Sequence, residues 1–380
     1  MGNKLGNKSS KSKNNKSNKI SKKEDKKYDN LGKEIKIQEY KISKNEDKKY
    51  DNLEKEIKIQ ENKILKNEDK KYYDLKLRIK IGEYEEKCQI DPMILLKRTA
   101  SFACGLEDGT IKLFSVKSPY SLQIEMRIHS TAVNCIFETK IGELISGADF
   151  PDSTIKLISF NLEDKVFEII KTIKGHKSNV YNAIQLEKKF SSELYASCSE
   201  DKTIKIWNKD SGQAMLVYKN IELIWCILEL SNYRIIFCQS EKFHGLFEIN
   251  YKTGTIKKKN DKIRATGSNG LYKMKIDNKN YIAIASYKEI FIVDDIDFRI
   301  KNNFKFDVNN FFWSIKLLSD NSFIINGADK NIYQVSVDDG QLISKVEIHM
   351  GSIPSIIELE NNILVTCSYD HKIKFWKLKK

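Results

Sequence analysis

The sequence predicts an all-β fold of seven repeated units carried behind a basic arm, and three observations predict it. An aliphatic column, Ile111, Ile155, Ile204, Leu246, Ile290, Ile332 and Ile373, recurs every 41–49 residues. Three positions before it stand Asp108, Asp152, Asp201, Phe243, Tyr287, Asp329 and Asp370, and three positions after it Phe114, Ile158, Trp207, Ile249, Val293, Val335 and Trp376. Five acids in the first flanking column and seven apolar residues in the second are more than chance delivers at positions fixed by other residues. The first 72 residues repeat a different unit, so they form a separate region.

That region divides in two. Residues 1–23 hold eight lysines and no acid, the pattern of a disordered basic tail that suits an anionic partner, lipid surface or nucleic acid. Residues 24–72 belong to a 22-residue repeat: SKKEDKKYDNLGKEIKIQEYKI at 21–42 recurs almost unchanged at 43–64. Tyr28, Leu31, Ile35, Ile42, Tyr50, Leu53, Ile57 and Ile64 fall on one stripe of a helix, and 22 residues are two hendecads, the period that keeps such a stripe aligned. Capping boxes at Ser21–Glu24 and Ser43–Glu46 allow two shorter helices in place of one coiled-coil-like helix, and a lysine-rich extension remains open. With 22 lysines against 13 acids, residues 1–72 carry +9 of the chain's +14. The third copy of the repeat changes character: Leu75, Leu77, Ile79 and Ile81 alternate as in a strand.

Within each later unit an apolar run precedes the columns, and turn signals separate the runs. Gly212, Gly254 and Gly340 lie five residues beyond their column, where a hairpin needs a permissive backbone. Three of the five histidines open a shared pattern: His129 before Val133, His176 before Val180, and His349 before Ile353.

From Gly175-His176 through SEDKTIKIWN, residues 175–208 resemble a WD40 repeat, and 349–376, ending CSYDHKIKFW, do so nearly as well. The resemblance covers about residues 73–380 and weakens in the fourth and fifth units, which lack both the acid and the initial histidine. It implies a seven-bladed β-propeller of four-stranded blades. It also implies structural roles for His176, Asp201 and Trp207, and for His349, Asp370 and Trp376. Asp would orient His from the turn between the second and third strands, and Ser197 or Ser199 would link His176 to Trp207. A hydrolase triad is the rival reading, disfavoured because no nucleophile turn or glycine loop accompanies these residues. Since KIKFWKLKK supplies only a third strand to the last blade, the strand at about 75–81 is expected to complete that sheet and close the ring.

No phosphate loop, metal-ligand cluster or paired-carboxylate motif is present, so neither cofactor nor metal is expected and the reading is a non-enzymatic binding platform. His244 and His371 read as exposed turn residues. Family propellers bind through one face near the central channel. The position after Val180 and its equivalents reads Asp91, Asn134, Tyr181, Trp225, Tyr272, Trp313 and Pro354, and its aromatics form a candidate arc for a peptide or partner loop. The bland alternative is packing between blades. The tail offers a second site: Gly2 follows Met1 in a myristoylation-like context, although Gly6 replaces the usual Ser or Thr. With eight nearby lysines as a second signal, a membrane-associated adaptor is the alternative function. Lys257, Lys258 and Lys259 add basicity without an aromatic-interleaved groove, which disfavours nucleic acid. Seven cysteines without CxxC pairs read as free buried thiols. Without a secretory h-region or an apolar span, the chain reads as cytoplasmic, at most peripheral at the inner membrane face, with a monomeric propeller.

Overall fold

Each unit of the sequence becomes one four-stranded antiparallel sheet. The computed structural model describes residues 74–187, 192–220, 222–239, 245–263, 270–308 and 310–379. The expectations for the tail, the 22-residue repeats before residue 74, Gly2, Phe243 and His244 fall outside these residues. Among the described residues 28 strands form seven sheets and no α-helix occurs. Blades 1 to 6 span 90–127, 133–173, 180–219, 227–260, 271–305 and 312–347. Within each, strand order follows chain order. First strands of neighbouring blades approach one another in five of the seven pairs, which places them innermost, around the axis.

The alternation of the sequence explains the packing. Period-2 strands present one apolar row to each neighbouring sheet, and the buried side chains sort into seven clusters, one for each pair of adjacent blades. The aliphatic column lies within these seams: Ile111, Ile204, Leu246, Ile290, Ile332 and Ile373 are fully buried. All seven cysteines are free and six are buried. Gly212, Gly254 and Gly340 adopt φ of 70°, 75° and 72°, the left-handed turn conformation.

Blade 7 is composite. Strands Ser355–Leu359, Ile363–Cys367 and Lys372–Lys379 take Asp74–Glu85 as their outermost member, antiparallel to the last of them. This strand is longer than the alternating stretch, and it is bulged: Lys80 pairs with Trp376 and Gly82 with Phe375, leaving Ile81 as an extra residue. An extra residue flips the side chains that follow. A first register shift, between Asp74 and Ile79, separates fully buried Leu75 from Ile79, which is 47% exposed, and the bulged Ile81 is 43% exposed, so the strict alternation does not put all three on one covered face. Tyr84 takes over inside, its hydroxyl donating to the Tyr120 carbonyl at 2.9 Å and its ring 5.0 Å from Phe114.

Candidate binding face at the channel mouth

The polar columns clamp the blade turns that frame one end of the axis. In blade 3, His176 Nδ1 lies 2.9 Å from Asp201 Oδ2 and Nε2 lies 2.7 Å from Ser197 Oγ, and that hydroxyl oxygen accepts from Trp207 Nε1 at 2.8 Å. Ser199, the other candidate, instead caps the turn by accepting from the Asp201 N–H at 3.1 Å. Blade 7 repeats the arrangement with Thr366 between His349 and Trp376, and Asp370 on His349 Nδ1 at 2.9 Å. Blade 2 keeps His129, Ser146 and Asp152 but has Ile158 in the tryptophan position. Blade 6 has no such histidine; Asp329 accepts from Asn310 and from the Tyr333 hydroxyl. Burial lowers the pKa of all three histidines against the pull of their carboxylates. Burial would raise Asp152, Asp201 and Asp370, but the hydrogen bonds from histidine and neighbouring donors outweigh it and hold them low. Neutral imidazole beside ionised carboxylate is the resting state of each pair.

Inside this frame lies a cavity of about 500 Å³. Asp91, Asn134, Tyr181, Trp225, Trp313 and Pro354 line it, joined by Gln89, Glu107, Asp149, Asn179 and Tyr369. Backbone irregularity puts several of them there. Val180 pairs with Ser199 and Asn182 with Cys198, so Tyr181 is the extra residue of a β-bulge. Asn134 and Trp313 occupy the same bulged position, and Asp91 lies in a two-residue bulge with Pro92. A bulge re-aims its extra side chain away from the ladder. Blade 5 has no bulge there: Leu271 pairs with Ile284 and Tyr272 with Ala283 in unbroken register. Tyr272 consequently does not join the others. It packs half-buried on the seam between blades 5 and 6 and borders a separate cavity with Leu230, Met274 and Leu317.

The rings that do converge form two pairs, Tyr181 with Trp225 at 4.3 Å between centroids and Trp313 with Tyr369 at 5.8 Å. The Tyr369 hydroxyl donates to Asp91 Oδ2 at 3.0 Å, and Asn134 Nδ2 donates to Asp149 Oδ1. Burial pushes Asp91 up to about 6, against the Tyr369 hydrogen bond and with the Asp149 charge adding to the rise. Asp149 is raised as well, chiefly by burial. Sequence columns missed Tyr369, Glu107 and Asp149. Tyr369 and Glu107 stand one residue before the acid column, at Asp370 and Asp108, so that adjacent column was the available signal. Asp149 belongs to a turn three residues longer in blade 2 than in blade 1, which also leaves Phe150 64% exposed beside Asn179. His371 is a turn residue with φ 68° whose carbonyl accepts from the Glu86 N–H. Lys257, Lys258 and Lys259 lie on the outer strand of blade 4, Thr255–Asn260, with Lys259 paired to Glu248 at 3.0 Å.

Residues 167–208 and 340–377 match the repeat family described as WD domain, G-beta repeat. Two of the seven blades of this propeller thus match the WD40 repeat. Among proteins similar to this chain, protein transport protein sec13 of Aspergillus clavatus is 27% identical over 124 residues, covering 29% of the chain and 42% of that protein. Nuclear distribution protein nudF 1 of Talaromyces marneffei is 34% identical over 119 residues, 31% of the chain and 22% of that protein. Transcriptional modulator WTM2 of Saccharomyces cerevisiae is 28% identical over 107 residues, 28% of the chain and 20% of that protein. The chain thus spans less than half the length of these curated relatives.

Proposed function

We propose that this propeller is a non-enzymatic interaction scaffold that holds an extended segment or loop of a partner protein at the channel mouth, with Tyr181, Trp225 and Trp313 as its anchors. The observation that carries the reading is the convergence of these rings, from three different blades, on one cavity with polar groups between them. Rigid aromatic faces in a concave site are the residues that most often dominate protein interfaces. The relatives support the class rather than a pathway, because their names span protein transport, nuclear distribution and transcription. One framework serves many partners.

Affinity purification with mass spectrometry from the native cell tests this. Wild type is compared with Tyr181, Trp225 and Trp313 changed together to Ala, once circular dichroism shows the variant folded. Specific partners should vanish; partners that persist would move the interaction off this face. The lysine block at 1–23 favours a second reading, a membrane-associated adaptor of the cytoplasmic leaflet with a lipid on Gly2. Its arm of the same experiment is deletion of 1–23, which should shift the protein out of the membrane fraction, whereas an unchanged distribution removes it.

A further inference from the structure

The charge of the mouth runs against the charge of the chain. Lys and Arg make up 66 of 380 residues, so thirteen lining positions drawn at random would hold about two. They hold none, and no histidine, while Asp91, Glu107 and Asp149 bring three carboxylates. Elsewhere several partly buried acids pair with cations, Glu248 with Arg234 and Lys259, Glu86 with Lys112, and Glu143 and Glu193 with Lys209, while Glu229, Asp320 and Asp329 are held by two or more neutral donors each. Asp91 and Asp149 have no ion-pair partner among the described residues. Each takes one hydrogen bond from a neutral donor, Tyr369 or Asn134, although an ionised carboxylate can accept about four.

We propose that the mouth selects a partner segment that carries a lysine or arginine, whose cationic head enters the cavity, takes hydrogen bonds to Asp91 and Asp149, and lies against the aromatic faces there. This rests on the reading of the mouth as a partner-binding site and names what it recognises. Ring faces attract cations, most strongly when water is excluded, and the electron-rich faces of Tyr181, Trp225, Trp313 and Tyr369 share the cavity with the acids. A volume of about 500 Å³ is within the range of ligand cavities and accommodates one long side chain. The competing occupants fit worse. An anionic group would meet three carboxylates and no cation. A purely apolar anchor would strip water from Asp91 and Asp149 and return no hydrogen bond. Among the described residues no group of three or more acids, cysteines or histidines is placed to hold a metal ion.

The test passes an immobilised positional-scanning library of acetylated hexapeptides over the full-length protein and over Asp91→Asn, Asp149→Asn and the double variant. Asparagine keeps the carbonyl oxygen that accepts from Tyr369 or Asn134, so only charge is removed, and melting followed by circular dichroism verifies the fold. The wild type should select Lys or Arg at one position, and the double variant should bind the best peptide about tenfold or more weakly. A measurement that needs no variant replaces the selected arginine by citrulline, or lysine by norleucine, and should show the same loss on wild-type protein. Peptides retained without a basic preference, or with one that the Asn variants leave unchanged, would overturn this inference and leave the interaction reading standing. Retention of no peptide by the wild type would count against both.

Discussion

His129, His176 and His349 are buried, and each holds one ring nitrogen on a carboxylate and the other on a hydroxyl. Their chemistry sets how the molecule responds to acid. In the unfolded chain each imidazole takes a proton near 6.5; in the fold burial keeps that value lower. The unfolded state thus binds more protons as pH drops below 6.5, and the histidine contribution, present above that value, is lost on the way down. The depressed carboxylates act in the same direction at lower pH: their contribution is full above 3.8 and falls away below it. With Asp91 and Asp149, whose raised carboxyls act in the opposite sense, changed to Asn, urea midpoints should therefore decline from pH 7.5 to 5 and fall further toward pH 3. Asp201→Ala strips His176, Thr203 and the Lys177 amide of a charged acceptor and should cost about 2–3 kcal/mol at pH 7.5. Because one histidine loses its partner, the variant should also show an altered pH slope. A midpoint equal to wild type at both pH 7.5 and pH 5 would remove the network from the stability of the blade.

At the scale of the strand and turn, small departures from regularity decide what faces the axis. Gly254 and Gly340 share a turn conformation but not an environment. A Cβ on Gly254 meets nothing within 4 Å, whereas one on Gly340 would sit 1.9 Å from Phe304 Cδ1. Gly254→Ala should cost only the left-handed strain, about 1–2 kcal/mol. Gly340→Ala should add about 1–3 kcal/mol of overpacking, and a Phe304→Ala background should remove that excess. Equal losses in thermal melts of the two single variants would refute the contact. The same scale explains what the sequence disclosed. Spacing of Ile204 and its equivalents, the Asp column and the turn glycines made seven sheets legible, because those residues obey local periodicity and turn chemistry. The channel mouth was legible only in part. Tyr181 and Tyr272 occupy the same place in a column, yet one stands on a bulge and the other in unbroken register, and a bulge depends on hydrogen bonding to the next strand. Tyr369 and Asp149 reach the mouth from turns between second and third strands, Asp149 beside Asn134 of its own blade and Tyr369 beside Asp91 and Trp313 of the two neighbouring blades, where only closure of the ring brings it.

At the scale of the whole molecule, the seven seams form a circle in which each sheet depends on both neighbours. Blade 7 is where the circle is fastened, since residues nearly 300 apart in sequence share its sheet. Side chains reinforce the ladder: Lys372 reaches Glu83 at 3.0 Å, the Arg78 guanidinium lies 5.3 Å from the Trp376 ring, and Leu75 enters the seam between blades 6 and 7. The exposed ion pair contributes little by itself. The backbone pairing and the cover over Phe375 and Trp376 matter more, because Phe375 lies between Tyr120 and Phe102 in the seam with blade 1. Deleting Asp74–Glu85 would leave Lys372–Lys379 as an open edge with unpaired amides and a bared aromatic row. An edge of that kind recruits another strand. The deletion should thus lower the melting temperature and yield dimers or larger species by sedimentation, and Tyr84→Ala should give a smaller loss without association. If the deleted protein melted as the wild type does and sedimented as a monomer, the ring would be held by its seams alone. The fastening strand would then be dispensable to the propeller.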